Sequence, residues 1–185
     1  MRDVTPNAHS RNQKVDLREL FRYLAEFVKH PKNRIAQLPD WNWPTLFTFQ
    51  VILSICSGTI AGLIKLNIYR VAAGLILMPI VSTLAALGLA LALYYYFQFV
   101  ENRTESYRKI FTLVIFSSIP FNLFQILSEY FAPVTLIGFT FTALLALIGL
   151  RSNFQVTQNR AYQLIGGLYG LVLLAWVINW QTIPA

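Results

Sequence analysis

The sequence contains few of the residues from which metal, haem and disulfide sites are built. Its only cysteine is Cys56, and its two histidines, His9 and His30, both lie before the first long apolar run. One cysteine excludes an intramolecular disulfide, and it lacks the further ligands that a metal site needs. The position of the histidines excludes an intramembrane His-ligated cofactor. We therefore interpret Cys56 as a small packing residue and predict no metal and no cofactor.

Residues of common catalytic sites are missing from the apolar runs as well. The three aspartates, Asp3, Asp16 and Asp40, all precede those runs, so they cannot form an intramembrane aspartyl pair. The runs also offer no histidine base for a serine nucleophile. The sequence has no glycine-rich nucleotide loop and no series of intramembrane arginines, which excludes nucleotide-driven pumping and a voltage sensor. We predict that the chain is not an enzyme.

Charged residues make up only 12% of the sequence, whereas roughly 25% is typical of a soluble domain. Between Trp41 and Trp180 they are confined almost entirely to the connections between five apolar runs. Each run is long enough to cross a hydrocarbon core as a helix, which takes about 20 residues. The sequence therefore predicts an all-α polytopic membrane protein. Its five-helix transmembrane domain covers residues 41–185, with spans at about 43–64, 74–100, 110–130, 132–150 and 161–180.

Residues 1–40 are predicted to form a cytoplasmic arm. Residues 1–15 are polar and are expected to be disordered, whereas 16–30 have the apolar spacing of an amphipathic helix. This helix could lie among lipid headgroups, or its apolar face could pack on the bundle or on a second copy. In the first arrangement, the cations of the arm would contact the anionic headgroups of the bilayer; they are Arg18, Arg22, Lys29, Lys32 and Arg34.

The distribution of basic residues predicts an orientation. The net charge of +7 would indicate nucleic acid in a soluble protein, but thirteen of the fifteen lysines and arginines would lie on one side of a five-span bundle. That asymmetry is the one that the positive-inside rule describes. We predict a cytoplasmic N-terminus, a C-terminus on the opposite side of the cell membrane, and no nucleic-acid partner.

Small residues recur at four-residue spacing in two of the spans. Span one carries Ser54, Gly58 and Gly62, and span five carries Gly166 and Gly170. Such residues let helix backbones approach closely in a membrane. The pattern predicts helix packing, either within the bundle or between copies.

Two prolines are predicted to kink spans. The second run is too long for a simple crossing, since its 30 residues would extend about 45 Å as a helix. We expect Pro79 to divide it into a lead-in over 74–79 and a crossing over 80–97. Pro120 would kink span three in the same way.

Span three is the most polar of the five. Ser118, Asn122, Gln125 and Glu129 share one helical face. Amides and a carboxylate are costly in hydrocarbon unless they are paired, so this face is expected to look into the bundle or into a hydrated cavity. The pattern fits interhelical hydrogen bonding, a solute pathway or a lipid headgroup site.

Several segments resemble the Yip1 domain family over roughly residues 20–180. The segments are Phe27-Val28-Lys29-His30-Pro31, the polar stretch 104–109, Ser117-Ser118-Ile119-Pro120-Phe121, and Ile148-Gly149-Leu150 followed by a short polar link to Ala161. The resemblance implies an integral membrane protein of five spans. The acidic motif that precedes span one in eukaryotic members is absent, so binding of Rab-type GTPases is not expected. The compact arm resembles the prokaryotic branch, which implies a bacterial cytoplasmic membrane.

These features lead to three functional hypotheses. The first is a non-enzymatic membrane organising or interaction protein, forming homo- or hetero-oligomers through small-residue helix faces and contacting lipid through its arm. The second is a small transporter or channel that uses the polar face of span three. The third is an accessory subunit of a larger membrane complex.

Overall fold

The computed structural model describes residues 17–64, 66–128, 131 and 133–182, and of residues 179–182 it describes the backbone only. Helices account for nearly all of this part of the chain, and it contains no strand. The helices, in chain order, are α1 Leu17–Lys29, α2 Pro31–Ala36, α3 Trp43–Ile64, α4 Ile68–Phe99, α5 Tyr107–Ser117, α6 Ile119–Ser128, α7 Val134–Phe154 and α8 Gln158–Thr182.

Five helical segments within the described residues are long and apolar enough to cross a membrane. They are α3, α4, the pair α5 and α6, α7 and α8. This confirms the predicted fold class, an all-α protein with five membrane-spanning helices and an amphipathic helix before them. The chain is a multi-pass membrane protein. We call the end of the bundle at which α3 and α5 begin the arm end, and the opposite end the far end.

The expected division of the second span at Pro79 is not observed in helix α4. It is one continuous helix of 32 residues, and Pro79 lies inside it. A proline is tolerated there because neighbouring helices and hydroxyl side chains can satisfy the backbone groups that it frees. The hydroxyl of Tyr107 donates to the carbonyl of Leu87 at 3.0 Å, so α4 has already reached the start of α5 at that residue. Its extra length continues past this point, where Phe97 stacks on Phe154 at the end of α7.

Span three is interrupted next to Pro120. Helix α5 ends at Ser117 and α6 begins at Ile119, so Ser118 separates them. The reason is local, because proline lacks the N–H that would bond to the carbonyl of Phe116. The hydroxyl of Ser118 donates to the neighbouring carbonyl of Ile115 at 2.8 Å.

Helix α5 forms the centre of the molecule. Every side chain from 110 to 117 is buried, so no side of this segment faces lipid. Helices α3, α4 and α7 cover most of its surface, and the arm covers the rest through α2 and Phe27. Helix α8, in contrast, packs mainly on α7 and is exposed over most of its length.

Candidate membrane interface and intramembrane polar cluster

The arm is attached to the bundle by an aromatic cluster centred on Phe116 of α5. Tyr23 and Phe27 of α1 lie 5.0 and 5.8 Å from its ring centroid. Trp41 and Phe49 approach the same ring at 5.4 and 5.1 Å. Aromatic pairs at such distances contribute about 0.5–1.5 kcal/mol beyond the burial of their area. The amphipathic helix is therefore an integral part of the bundle.

Helix α1 has three chemically different sides. The first packs on the bundle and carries Leu20 and Phe27, which are 3% and 1% exposed, together with the partly buried Tyr23 and Leu24. The second is apolar yet about half-exposed, and it carries Leu17, Phe21 and Val28. The third is charged and exposed, and it carries Arg18, Glu19, Arg22 and Lys29. Of the two arrangements expected from the sequence, packing on the bundle is the one observed, and it uses only one of the three sides.

The two edges of α1 also differ in polarity. One edge is an apolar groove lined by Leu20, Phe21, Leu24, Phe49, Ile52, Leu53 and Cys56. On the other edge, a polar cleft of about 370 Å³ lies between α1 and α2 and is lined by Glu19, Arg22, Tyr23, Glu26 and Arg34. Polar and apolar surfaces are therefore segregated to opposite edges, as in a helix at a boundary between water and hydrocarbon.

Arg34 is engaged within the arm. Its guanidinium forms an ion pair with Glu26 and lies over the ring of Tyr23, 5.5 Å from the centroid. Burial raises the pKa of Tyr23 to about 12, against the opposing effect of the Arg34 charge. Of the five cations predicted to contact lipid, Arg34 thus joins α2 to α1. The side chains of Arg18, Arg22, Lys29 and Lys32 are exposed.

Helix α2 is attached to the arm end of α7. The side-chain amide of Asn153 donates to the carbonyl of Ile35 at 2.8 Å, and its oxygen accepts from the N–H of Leu38 at 3.3 Å. The contact is close because α7 carries Gly149, where an added Cβ would lie 2.2 Å from Leu113 and 3.2 Å from Ile35. These bonds attach α2, which follows α1 directly, to the bundle.

Ion pairs hold the connections at the arm end. Arg108 contacts Asp40 at 2.6 Å, which joins the arm to α5. Arg160 contacts Glu101 at 3.1 Å, which joins α8 to the connection after α4. Both arginines are partly exposed, so each ion pair contributes about 1 kcal/mol or less to the free energy of unfolding.

A polar cluster lies inside the bundle between α3 and α4. The amide nitrogen of Gln50 lies 3.5 and 3.4 Å from the hydroxyls of Ser54 and Ser82, which are themselves 2.5 Å apart. Gln50 and Ser54 are 2% and 1% exposed. The side-chain oxygen of Gln50 is buried and accepts no hydrogen bond from the described residues. Ser54 therefore takes part in interhelical hydrogen bonding in addition to the close packing expected of a small residue.

The polar face predicted on span three is divided in the structure. Asn122 is buried, accepts from the hydroxyl of Ser57 at 3.4 Å and donates to the carbonyl of Ser118 at 3.0 Å. Gln125 is half-buried and points to the sulfur of Met78 at 3.9 Å. Glu129, the fourth residue of the predicted face, lies outside the described residues. Of the three residues of this face that the structure describes, only Asn122 joins the side chains that α3 directs inward.

Sequence reasoning missed three members of this polar region, namely Gln50, Ser57 and Ser82. Gln50 could have been identified from the sequence, since an amide within an apolar span is costly unless it has a buried partner. A single serine gives no comparable signal, because its hydroxyl can bond to a carbonyl of its own helix. Here the hydroxyl of Ser57 also lies 3.2 Å from the carbonyl of Ser54.

The two small-residue stripes have different environments. A Cβ added to Gly58 or Gly62 would lie within 2.9 Å of the α4 backbone, so both glycines face α4. Gly74 on α4 completes the contact, since a Cβ added there would lie 2.5 Å from the Gly58 backbone. Around Gly166 and Gly170 a Cβ would meet no atom within 4 Å. The stripe of span one packs within the bundle, and that of span five does not.

Comparison with known proteins gave no match to a family model, to a curated protein or to a solved structure. Within the described residues, no three histidine, cysteine or carboxylate side chains are grouped as metal ligands.

Proposed function

We propose that the chain is a non-enzymatic integral membrane protein that organises its surroundings through lateral helix contacts and through its arm. The three-sided character of α1 carries this proposal. One side fixes the helix to the bundle, and the other two present an apolar stripe and a row of charges to the exterior. This combination suits simultaneous contact with acyl chains and headgroups.

The partner proposed for the charged side is anionic lipid. Arg18, Arg22 and Lys29 lie on that side, and Lys32 follows at the start of α2. A lysine or arginine near an anionic leaflet contributes about 1 kcal/mol to the free energy of membrane binding. Four cations held on the docked arm would therefore give the protein a preference for anionic lipid without further folding.

The proposed orientation places the arm end in the cytoplasm and the C-terminus on the opposite side. Arg103, Arg108, Lys109, Arg151 and Arg160 all belong to connections or helix ends at the arm end. The positive-inside rule supports this direction. A bacterial cytoplasmic membrane, and membership of the Yip1 domain family, belong to the same proposal.

Assembly with a second copy, or with another membrane protein as an accessory subunit, also belongs to the proposal. It is supported by the exposure of α8, which packs mainly on α7 and leaves the side with Gly166 and Gly170 open.

The alternative of a transporter or channel needs a hydrated path along the polar side chains. Gln50, Ser54, Ser57 and Asn122 are each 5% exposed or less, and their hydrogen bonds run to one another and to nearby helix carbonyls. This close packing favours interhelical bonding and hence the organising role.

The proposal is tested by purifying the full chain in mild detergent and identifying the lipids that co-purify. Arg22→Gln with Lys29→Gln is expected to reduce co-purified anionic lipid several-fold, since two of four cations are removed. Lys65→Gln with Arg70→Gln removes the same charge outside the arm and serves as the matched control. Equal lipid retention by both double variants would overturn the proposed role of the arm.

A further inference from the structure

Helix α1 packs against the middle of the spans and not against their ends. Its groove on α3 runs from Phe49 to Cys56. Leu53, within that groove, lies ten residues from the start of α3 and eleven from its end. At about 1.5 Å per residue, α1 is therefore about 15 Å from both ends of this span. Phe116, its partner in α5, lies at a similar depth in span three.

Charged side chains are therefore exposed halfway along the bundle. Arg18, Glu19, Arg22 and Lys29 are exposed on the helix that packs at this level. A charge at the centre of a bilayer is costly, and amphipathic helices with such a charged side lie instead at the boundary between headgroups and acyl chains. The apolar groove on one edge of α1 and the polar cleft on the other place that boundary along the helix itself.

Helix α4 has a different exterior at the same level. Ser82 of α4 contacts Ser54 of α3, so the neighbouring Val81 lies at the depth of α1. Val81 is 52% exposed, and the exposed residues around it, Met78, Ile80 and Leu84, are apolar too. On α3, Ser54 and Gly58 face α4 whereas Ile52 and Cys56 line the groove under α1, so the two helices cover different sides of the bundle.

We infer that the headgroup layer of the arm-end leaflet descends to α1, so that the bilayer is thinned on this side of the bundle only. The partner is phospholipid, with headgroups at the charged side and acyl chains against Leu17, Phe21 and Val28. From α1 to the far end the hydrocarbon would be about 16 Å thick, against about 30 Å in an undisturbed bilayer. Bilayers adapt to short apolar surfaces by such thinning. The inference rests on the proposed contact between the arm and lipid, and it adds the depth in the bilayer at which that contact lies.

The reaction rate of single cysteines with a charged, membrane-impermeant maleimide tests the inference, because a thiol reacts as its thiolate and ionises only in contact with water. The full chain is reconstituted in vesicles of phosphatidylethanolamine and phosphatidylglycerol, with reagent on both faces. One sample carries only the native Cys56, which is exposed on the apolar edge. In a Cys56→Ser background, Arg22→Cys and Lys29→Cys probe the charged side, and Val81→Cys is the control at the same depth.

Arg22→Cys and Lys29→Cys are expected to react at least about tenfold faster than Cys56 and Val81→Cys. If all four thiols react slowly, α1 is submerged and the inference is overturned. If Val81→Cys reacts as fast as Arg22→Cys, water surrounds the whole level and the thinning is not one-sided, which also overturns it. A failure of lipid selectivity with the labelling pattern intact would overturn the proposed lipid preference and leave the depth standing.

Discussion

The ring of Tyr23 in the arm lies 5.0 Å from the ring of Phe116 in the central helix, and its hydroxyl is buried without a hydrogen bond to the described residues. The contact therefore depends on ring packing and not on the polar atom. Because a buried polar group without a partner opposes folding, Tyr23→Phe is expected to leave thermal stability at neutral pH unchanged or slightly raised. A marked loss of stability in detergent would contradict this reading of the contact.

The same residue predicts a pH dependence. The pKa of Tyr23 is raised from 10.0 to about 12 by burial, so between these values the unfolded chain loses the proton first. Stability from the neutral phenol is fully present below pH 10 and is lost as pH rises towards 12. Tyr23→Phe is expected to weaken the fall in stability over this window. Identical pH profiles for the two proteins in thermal unfolding would exclude the buried phenol as a cause.

Phe116 is expected to be a major determinant of stability, since it contacts both the arm and α3. Phe116→Ala leaves a cavity at the centre of the cluster, and such changes cost about 3–5 kcal/mol. The arm is then expected to become sensitive to protease in the purified protein. Phe131→Ala removes a ring that is 62% exposed and provides the control. Equal melting temperatures for the two variants would show that the aromatic cluster does not hold the arm.

Replacing glycine by alanine is expected to have opposite effects on stability at Gly74 and at Gly166. Gly74→Ala places a Cβ 2.5 Å from the Gly58 backbone, so α3 and α4 must separate and stability must fall. Gly166→Ala meets open space and is expected to stabilise α8 by up to about 1 kcal/mol through helix propensity. Thermal unfolding of the two variants side by side measures the difference. Similar shifts for both would argue against the close α3–α4 contact.

The polar cluster predicts that Gln50 is replaceable. Its hydrogen bonds of 3.4 and 3.5 Å are long, and its oxygen has no described partner, so Gln50→Met is expected to change stability by less than about 1 kcal/mol.

Asn122→Ala removes a 3.0 Å bond to a carbonyl and an interhelical contact with Ser57, at a cost of about 1–2 kcal/mol. Neither variant is expected to alter solute flux in liposomes. Flux that Asn122→Ala abolishes would favour the transporter alternative.

Much of the fold follows from hydropathy alone. The charge-free runs predicted five helices because a helix in hydrocarbon needs about 20 apolar residues and leaves no backbone group unpaired. Pro79 and Pro120 show that the effect of a proline on a helix does not follow from the local sequence alone. Both prolines free a carbonyl, yet only Pro120 lies beside an interruption, and Pro79 lies within an unbroken α4. Tertiary contacts decide between these outcomes, and a single sequence does not record them.

The candidate interface was predictable only in part. The helical spacing of Leu17, Leu20 and Phe27 predicts an apolar face, but Leu20 and Phe27 are buried in the bundle while Leu17 is half-exposed. The division of that face depends on where Phe116 lies, which is a long-range property. Gly58 and Gly166 make the same point, because equal spacing in the sequence leads to a close contact at one and an open surface at the other.

The position of α1 against the middle of α3 is the central claim, and cross-linking to the native Cys56 tests it most directly. Leu24→Cys places a second thiol in the groove that Cys56 lines, whereas Arg18→Cys places one on the charged side. Membranes containing each variant are treated with a short, membrane-permeant bis-maleimide, and the linked peptides are identified by mass spectrometry. We predict an intramolecular link between residues 24 and 56 and little or none between 18 and 56. Absence of the 24–56 link, or equal yields at both positions, would contradict the docking of the arm at mid-depth.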